Sequence, residues 1–305
     1  MTDLVAFREE LLKDPYYLGR EEVISKVGWN KVGRDEMVVS AEEAAKRVPD
    51  NENQSTADPD VEDGEVSEVG EPATLNPVRL TAVAMVSADD CWLTPCGNWK
   101  GRTKFTPNLA DLKLNCRLVA PSASPFAVDF KVVMKTIKKL MAQVETAGYE
   151  KSGIFNAKEN PKATLKIRHV VFEQKEEDED DEPDAFALRD WPVISPEAKE
   201  ALEEMDNSHR VVPMRAYDVN GDLIAPANYM AKLQGAVVRA TLTLSHWNIV
   251  KEKRNTYAAD IDSLRVLVPP SVSSSGSSPR KRRAGPIAQK DPGASPSPKK
   301  KARGD

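Results

Sequence analysis

GAVVRATLTLSHWNIVKEKRNTYAADIDSLRVL, residues 235–267, alternates apolar and polar residues on both sides of a charged turn. One face of its first half carries the apolar residues Val238, Ala240, Leu242 and Leu244. The opposite face carries Arg239, Thr241, Thr243, Ser245 and Trp247. A period of two residues is typical of a β-strand with one buried face. The alternation slips between Ile261 and Leu264, so the segment predicts a long β-hairpin whose second strand carries a bulge.

Two earlier segments, residues 113–119 and 164–172, alternate in the same way and are also predicted to be strands. Their predicted polar faces carry Lys113, Arg117, Lys166 and Arg168. A half-buried strand needs a polar outer face in any case, so cations there are not specific by themselves. Four cations and no acidic residue nevertheless favour a basic surface on this part of the sheet.

An amphipathic helix is predicted between these two strands, because apolar residues recur at helical spacing from Phe126 to Val144. A second helix is predicted to begin at Ser195, with Pro196 at its first position. Several short strands, one bulged hairpin and an intervening helix predict a mainly β fold of the α+β class. The expected architecture is a Greek-key barrel of the oligonucleotide/oligosaccharide-binding (OB) type with an inserted amphipathic helix.

Composition divides the chain into four parts. Residues 1–49 predict a short helical N-terminal arm, and residues 50–72 predict a disordered acidic linker without aromatic residues. The OB-like domain is expected at residues 73–270, with an acidic loop at 176–184. Residues 271–305 are rich in Ser, Pro, Gly and Ala and predict a disordered tail.

The charge of the chain is unevenly distributed. The net charge is −5, yet residues 72–175 alone sum to +8. Residues 50–71 hold nine acidic residues and no basic one, and residues 176–184 hold eight acidic residues in nine. A basic body beside acidic tracts is typical of a polyanion binder whose tracts compete for its own site. Each tract taken singly is also explained as a solvated loop.

The tail carries two basic clusters in sequence with almost no apolar residue to bury. They consist of Arg280, Lys281, Arg282, Arg283, Lys299, Lys300, Lys301 and Arg303. Compact Lys/Arg clusters on a flexible chain predict a nuclear import signal or a nucleic-acid-binding tail. We therefore expect a nuclear protein, while a merely solubilising tail stays open as the alternative.

The sequence offers little for catalysis, metal binding or a membrane. Cys91 and Cys96 have a loose metal-ligand spacing, but only Cys116 and three scattered histidines remain to complete a zinc site. No phosphate-binding glycine loop and no nucleophile–base pair stands at a recognisable spacing. We therefore expect no enzyme, no cofactor and no metal. The chain has no run of eighteen apolar residues, so no membrane partner is expected either.

Aromatic and basic residues interleave in the segment 98–105, NWKGRTKF, with Trp92 just before it. Such a loop suits a single strand, because bases stack on aromatic rings while Lys and Arg contact phosphates. The alternative is that these aromatics fill the core. Together with the strands and the hairpin, the candidate nucleic-acid-binding residues are Trp92, Trp99, Lys100, Arg102, Lys104, Phe105, Lys113, Arg117, Lys166, Arg168, Arg239, Trp247 and Tyr257.

The run at residues 235–267 resembles the closing hairpin of phage-type single-stranded-DNA-binding proteins, which have an OB fold. In that family a glycine-led strand has a polar or aromatic outer face, and a second strand returns to seal the barrel. The resemblance implies single-stranded DNA as the partner. Members of the family often end in an acidic tail, whereas this chain ends in a basic one, so a partner-docking role of the tail is not carried over.

These observations together predict a nuclear, largely sequence-independent, single-stranded nucleic-acid-binding protein, with DNA as the expected strand. The alternative is a nuclear interaction or histone-chaperone-like protein that holds basic partners with its acidic tracts. A third possibility is a subunit of a larger replication or mobile-element complex, docked through residues 1–49. A homo-oligomer is left open.

Overall fold

The computed structural model describes residues 3–32, 35–46, 76–103, 108–122, 125–155, 164–175 and 186–271. The chain divides into two units, Met1–Pro270 and Ser271–Asp305, and the described helices and strands belong to the first. The predicted acidic linker, acidic loop and basic clusters of the tail lie outside the described residues, as do Lys104 and Phe105.

The described part of the chain mixes helices with a large β-sheet, which confirms the α+β class. The helices are α1 (Leu4–Leu11), α2 (Ala41–Ala45), α3 (Phe126–Gln143), α4 (Pro196–Met205) and α5 (Tyr229–Leu233). The strands are β1 (Val27–Val32), β2 (Asp35–Ser40), β3 (Leu80–Val86), β4 (Lys113–Val119), β5 (Glu150–Ser152), β6 (Leu165–Val170), β7 (Phe172–Gln174), β8 (His209–Val211), β9 (Ala216–Tyr217), β10 (Val237–Ile249) and β11 (Arg254–Val268). None of these helices has the length and apolar character needed to cross a lipid bilayer.

The hairpin predicted from residues 235–267 is present as β10 and β11, which pair antiparallel along almost their whole length. The predicted bulge is confirmed. Thr241 pairs with Ser263 and Leu242 pairs with Ile261, so Asp262 is the extra residue on β11. The apolar face of β10 points into the core, where Val238, Ala240, Leu242 and Leu244 are buried.

Five strands of the large sheet pair in a closed circuit. β10 pairs antiparallel with β3, β3 with β4, and β4 with β6. β6 then runs parallel to β11, with Arg168 opposite Asp260, and β11 returns to β10. Each of these strands turns apolar side chains toward a common core, which includes Leu80, Leu114 and Ile167. This circuit is the frame that positions the polar face described below.

Helix α3 packs its apolar stripe against the core, as its 3.6-residue periodicity predicts. Phe130, Val133, Ile137 and Leu140 are buried on this stripe. Tyr257 on β11 donates a hydrogen bond from its hydroxyl to the Met141 carbonyl oxygen at 3.1 Å, so the end of the helix is tied to the hairpin. Helix α4 begins as expected, with Ser195 Oγ accepting a hydrogen bond from the Ala198 N–H.

The N-terminal residues pack on the same unit. Tyr17 and Leu18 are buried, and the Leu18 N–H donates to the Thr81 carbonyl oxygen of β3 at 2.8 Å. The structure differs from the predicted helical arm at residues 27–40, where β1 and β2 form a hairpin. Strand β2 pairs with β10 through Met37 and Ser245, so this hairpin extends the large sheet. Local preference agrees with these strands, because Val27, Val32, Val38 and Val39 are β-branched and Gly28 disfavours a helix.

Candidate nucleic-acid interface

A groove of about 220 Å³ lies on the polar side of β4, β6 and β11. Strand alternation builds it, because every second side chain of each strand turns away from the core. Its walls include Lys113, Asn115, Lys166, Arg168, Thr256 and Ala258. We call these six residues, with the adjacent Trp247 of β10, the sheet groove. Trp247 belongs here because its backbone pairs with Thr256 and its ring contacts Arg168.

The register between β4 and β6 brings the predicted cations together. Asn115 lies opposite Arg168, and Arg117 lies opposite Lys166. Lys113 is one residue pair further along the polar face of β4, opposite Val170. Three of the four cations predicted for this face, Lys113, Lys166 and Arg168, line the sheet groove.

Arg168 is held on two sides. Its Nε donates to Asp260 Oδ1 at 2.6 Å and its guanidinium carbon lies 5.4 Å from the centroid of the Trp247 ring. The second contact is a cation–π interaction, which orients a guanidinium over an aromatic face. Arg168 is thereby aligned with the groove wall, and Asp260 neutralises part of its charge.

Arg117 does not reach the groove as a free cation. It is buried, and its Nε donates to Asp90 Oδ2 at 2.8 Å. Burial would raise the pKa of the Asp90 carboxyl, but the hydrogen bond from Trp92 and the charge of Arg117 lower it overall. This ion pair connects the loop after β3 to strand β4. Arg117 therefore stabilises the position of this loop and is not a free cation of the groove.

Lys113 has an electrostatic environment of its own. Partial desolvation lowers the pKa of its ammonium group, and the positive charge of Arg168 lowers it further. Asp260 and Asp111 act in the opposite direction. A negative charge bound beside Lys113 would favour the charged form of its ammonium group.

The predicted aromatic residues occupy different depths. Trp92 and Trp247 are half-buried, whereas Trp99 and Tyr257 are buried in the core. Neither Trp99 nor Tyr257 presents an exposed ring face for stacking. For Trp99 this agrees with the alternative stated above, that the aromatic residues of the loop fill the core. Trp247 is therefore the candidate stacking residue next to the groove, where its ring contacts Arg168 of the groove wall.

The remaining predicted residues lie outside the groove wall. Lys100 is exposed on the loop after β3. Arg102 is exposed on the same loop and forms an ion pair with Glu204 of α4. Arg239 is half-buried on β10, opposite Arg265 of β11 and Val83 of β3.

Sequence reasoning did not select Gly153 as a site residue, although it lines the groove. Its φ of +101° is accessible mainly to glycine, and a Cβ atom there would lie 1.9 Å from the Tyr257 carbonyl oxygen. Only glycine therefore lets the chain after β5 pass so close to β11. Thr256 and Asp260 were also missed, although the alternation of β11 places them on the polar face.

Two of the cysteines are buried, and two of the histidines form hydrogen bonds within the fold. Burial raises the pKa of the Cys91 thiol, and that of the Cys116 thiol rises well above its usual range. His169 contacts the Val212 carbonyl oxygen through Nε2 at 2.7 Å, and His246 contacts Glu36 through Nδ1. Within the described part of the chain, no group of three His, Cys, Asp or Glu side chains is placed to hold a metal ion.

No protein-family model matches the sequence, and no curated protein matches it significantly. The chain has a weak structural resemblance to gp2.5, a single-stranded DNA-binding protein encoded by bacteriophage T7, in its crystal structure. The TM-score is 0.40 and the sequence identity is 9%, over 70% of this chain and 99% of that chain. A likeness of this size carries no weight for fold or function, which rest on the residues described above.

Proposed function

We propose that this protein binds single-stranded nucleic acid, with DNA as the natural strand, in the sheet groove. The observation that carries the proposal is the convergence of Lys113, Lys166 and Arg168 with the Trp247 ring on one polar sheet face. Non-specific single-strand binding needs a basic groove for the phosphates and an aromatic ring for base stacking. The sheet groove has both.

The strand pairing supports the finer proposal that the five-strand circuit is an OB-type barrel. An OB fold is a five-stranded Greek-key barrel that binds oligonucleotides on the face of its second and third strands. In chain order the circuit is β3, β4, β6, β10 and β11, so its second and third strands are β4 and β6. These are the strands that carry Lys113, Lys166 and Arg168.

The loops that flank this face agree with the same binding mode. OB folds use the loop between their first two strands and the loop between their last two. Here the first of these loops contains Trp92 and Lys100, and the second is the tip of the hairpin, with Lys251 and Lys253. The proposed path of the strand runs between these two loops along the sheet groove.

Charge and location complete the proposal. Phosphate contacts release counterions, so we expect binding that depends steeply on salt and little on sequence. The basic clusters of the tail, residues 280–283 and 299–303, support a nuclear location. We expect removal of residues 271–305 to move a fluorescent fusion out of the nucleus.

The test is a fluorescence anisotropy titration of the full chain against labelled single-stranded DNA, duplex DNA and RNA at 50 and 200 mM salt. We expect the protein to bind single-stranded DNA more tightly than duplex DNA, and to bind it more weakly at 200 mM salt than at 50 mM salt. Equal or tighter binding of duplex DNA, or no binding at the lower salt, contradicts it.

A second candidate function is supported by the acidic run at residues 176–184. In that case the protein holds basic nuclear partners such as histones. Deleting residues 176–184 separates the two proposals. DNA affinity then rises or stays level if the groove is the site, whereas capture of a purified histone is lost if the acidic run is the site.

A further inference from the structure

A second cavity, of about 190 Å³, adjoins the sheet groove and is built differently from it. It shares Lys113 and Asn115 with the groove and extends from them toward the loop after β3. Its rim carries the exposed side chains of Asn98, Asn108 and Asp111. Trp99 forms its buried wall, with 6% of its surface exposed. The cavity is therefore a polar side chamber of the groove.

Two buried polar atoms in the wall residues of this chamber have no hydrogen-bond partner among the described residues. They are the indole Nε1–H of Trp99, a donor, and Oδ1 of Asn115, an acceptor. The orientation of the Asn115 amide is fixed, because its Nδ2 donates to the Lys113 carbonyl oxygen at 3.1 Å. Buried groups of this kind are nearly always paired in folded proteins, with protein or with ordered water. Both of these belong to residues that line the same cavity.

The wall that carries Trp99 is held by a tight turn. The backbone N–H of Trp99 donates to the Cys96 carbonyl oxygen at 2.9 Å, and the backbone N–H of Gly97 donates to the Thr94 carbonyl oxygen at 2.7 Å. Gly97 has a φ of +49°, and a Cβ atom there would lie 2.7 Å from Cδ1 of Leu112. The turn is thus packed directly on the residue before β4, which fixes the indole beside the chamber.

We propose that the side chamber takes one pyrimidine base of the bound single strand. The edge of a pyrimidine presents a carbonyl oxygen for the indole N–H of Trp99 and an N–H for Asn115 Oδ1. Both atoms are covered in the free protein, so the base must shift the chamber wall slightly to reach them. The size also agrees, since a cavity of about 150 Å³ is sufficient for benzene and a six-membered base is only slightly larger. Purines, with two fused rings, fit less well.

This inference rests on the proposed binding of single strands in the sheet groove and adds a base preference to it. Single-strand binders show modest pyrimidine preferences from backbone flexibility alone. A pyrimidine preference that comes from the chamber differs from this general preference, because it depends on the indole N–H of Trp99. The test therefore compares base preferences between variants of the full chain.

The experiment measures the affinity for 12-nucleotide oligo-dC, oligo-dT and oligo-dA with wild type, Trp99→Phe and Trp29→Phe. Phenylalanine keeps an aromatic ring at position 99 and removes the N–H, so pyrimidine affinity should fall by about tenfold while oligo-dA affinity stays level. Trp29→Phe is the matched control, because Trp29 is also buried and lines neither cavity, and its indole N–H already donates to the Leu140 carbonyl oxygen at 2.9 Å. It should leave the ratio of pyrimidine to purine affinity unchanged.

A second measurement does not depend on the folding of a variant. The wild-type chain has five tryptophans and so five indole N–H signals in a nitrogen-15 NMR spectrum. Oligo-dC should shift the Trp99 indole signal, whereas oligo-dA should leave it in place. A pyrimidine preference that persists in Trp99→Phe, or a Trp99 signal that no oligonucleotide moves, overturns the chamber but not the groove. Absence of single-strand binding by the wild type overturns both proposals.

Discussion

The guanidinium of Arg168 lies over the indole ring of Trp247, 5.4 Å from the ring centroid. The two residues come from β6 and β10, which do not pair with each other directly but are both neighbours of β11. Asp260 of β11 stands between them in the sheet and forms the ion pair that orients the guanidinium. The proposed phosphate contact and the proposed stacking ring thus lie side by side in the sheet groove.

Asp260→Asn should strengthen binding of single-stranded DNA by about threefold at 50 mM salt. The carboxylate is the acidic group that neutralises Arg168, and its removal raises the positive charge of the groove. Loss of the ion pair should cost less than about 1 kcal/mol of folding stability, because both side chains are about one-quarter exposed. Anisotropy titrations check this, and weaker binding by the variant would count against the groove.

Trp247→Ala should weaken binding of single-stranded DNA by roughly five- to 160-fold, since one stacked base contributes about 1–3 kcal/mol. Trp247→Phe should keep most of the affinity, because it retains an aromatic face. The two variants are compared by anisotropy titration, after thermal unfolding has shown that both are folded. Equal affinity of Trp247→Ala and wild type would exclude Trp247 as a stacking residue.

Asp129→Ala should lower the free energy of unfolding by about 2–3 kcal/mol, because it leaves Arg8 and Tyr17 without their shared acceptor. The buried carboxylate accepts from Arg8 Nε at 2.7 Å and from the Tyr17 hydroxyl at 2.8 Å. This loss of unfolding free energy is smaller than for a fully buried ion pair, because Arg8 is partly exposed and can be hydrated. Urea unfolding measures the loss.

The control for this prediction is Lys13→Ala, which removes an exposed ion pair with Glu10 and should cost less than about 0.5 kcal/mol. If Asp129→Ala costs no more than this control, the N-terminal helix is not anchored as the geometry indicates. Cleavage of the N-terminal residues by dilute protease should also become faster in Asp129→Ala.

The stability of the fold should fall as the pH drops from 7 toward 5, in part because of His169. Burial lowers the pKa of this imidazole, although the Val212 carbonyl oxygen acts in the opposite direction. The unfolded chain therefore binds a proton near pH 6.5, whereas the folded chain binds it only at lower pH. The stabilisation is complete above the unfolded pKa and is lost as the pH falls through the folded pKa.

His169→Gln isolates this contribution, because glutamine keeps an N–H for the Val212 carbonyl and does not titrate. Between pH 7.5 and 5.5, the free energy of unfolding should fall less in the variant than in the wild type. The difference between the two proteins removes the contribution of the carboxylates. Parallel pH profiles would mean that His169 is not held neutral by the fold.

Local patterns in the sequence were sufficient for the hairpin, its bulge and helix α3. Each depends on a period of two or 3.6 residues within one segment, and the slip between Ile261 and Leu264 is the bulge at Asp262. The closure of the circuit through β6 and β11 could not be predicted, because parallel pairing joins residues about ninety positions apart. The hairpin of β1 and β2 was also missed, and its pairing with β10 joins residues still further apart in sequence, Met37 and Ser245.

The sequence was sufficient to predict three cations of the candidate site and the ring of Trp247, but not the burial of Arg117, Trp99 and Tyr257. Alternation alone placed Lys113, Lys166 and Arg168 on one face, since strand geometry fixes the side of the sheet. The depth of Trp99 depends on how an irregular loop packs against Leu112, and no periodicity encodes that. Gly153 is required by the close approach to Tyr257, which only the tertiary structure reveals.

The most direct test of the groove compares two double variants of the full chain that change the net charge equally. Lys113→Ala/Lys166→Ala removes two groove lysines, and Lys131→Ala/Lys232→Ala removes two exposed lysines that do not line it.

Titrations against a labelled single strand at several salt concentrations give both the affinity and its salt dependence. The groove variant should bind more weakly than wild type. Its slope of log affinity against log salt concentration should be shallower than that of wild type by about 1.4. The control variant should stay close to wild type. Identical slopes and affinities for the two variants would contradict the claim that the sheet groove binds the strand.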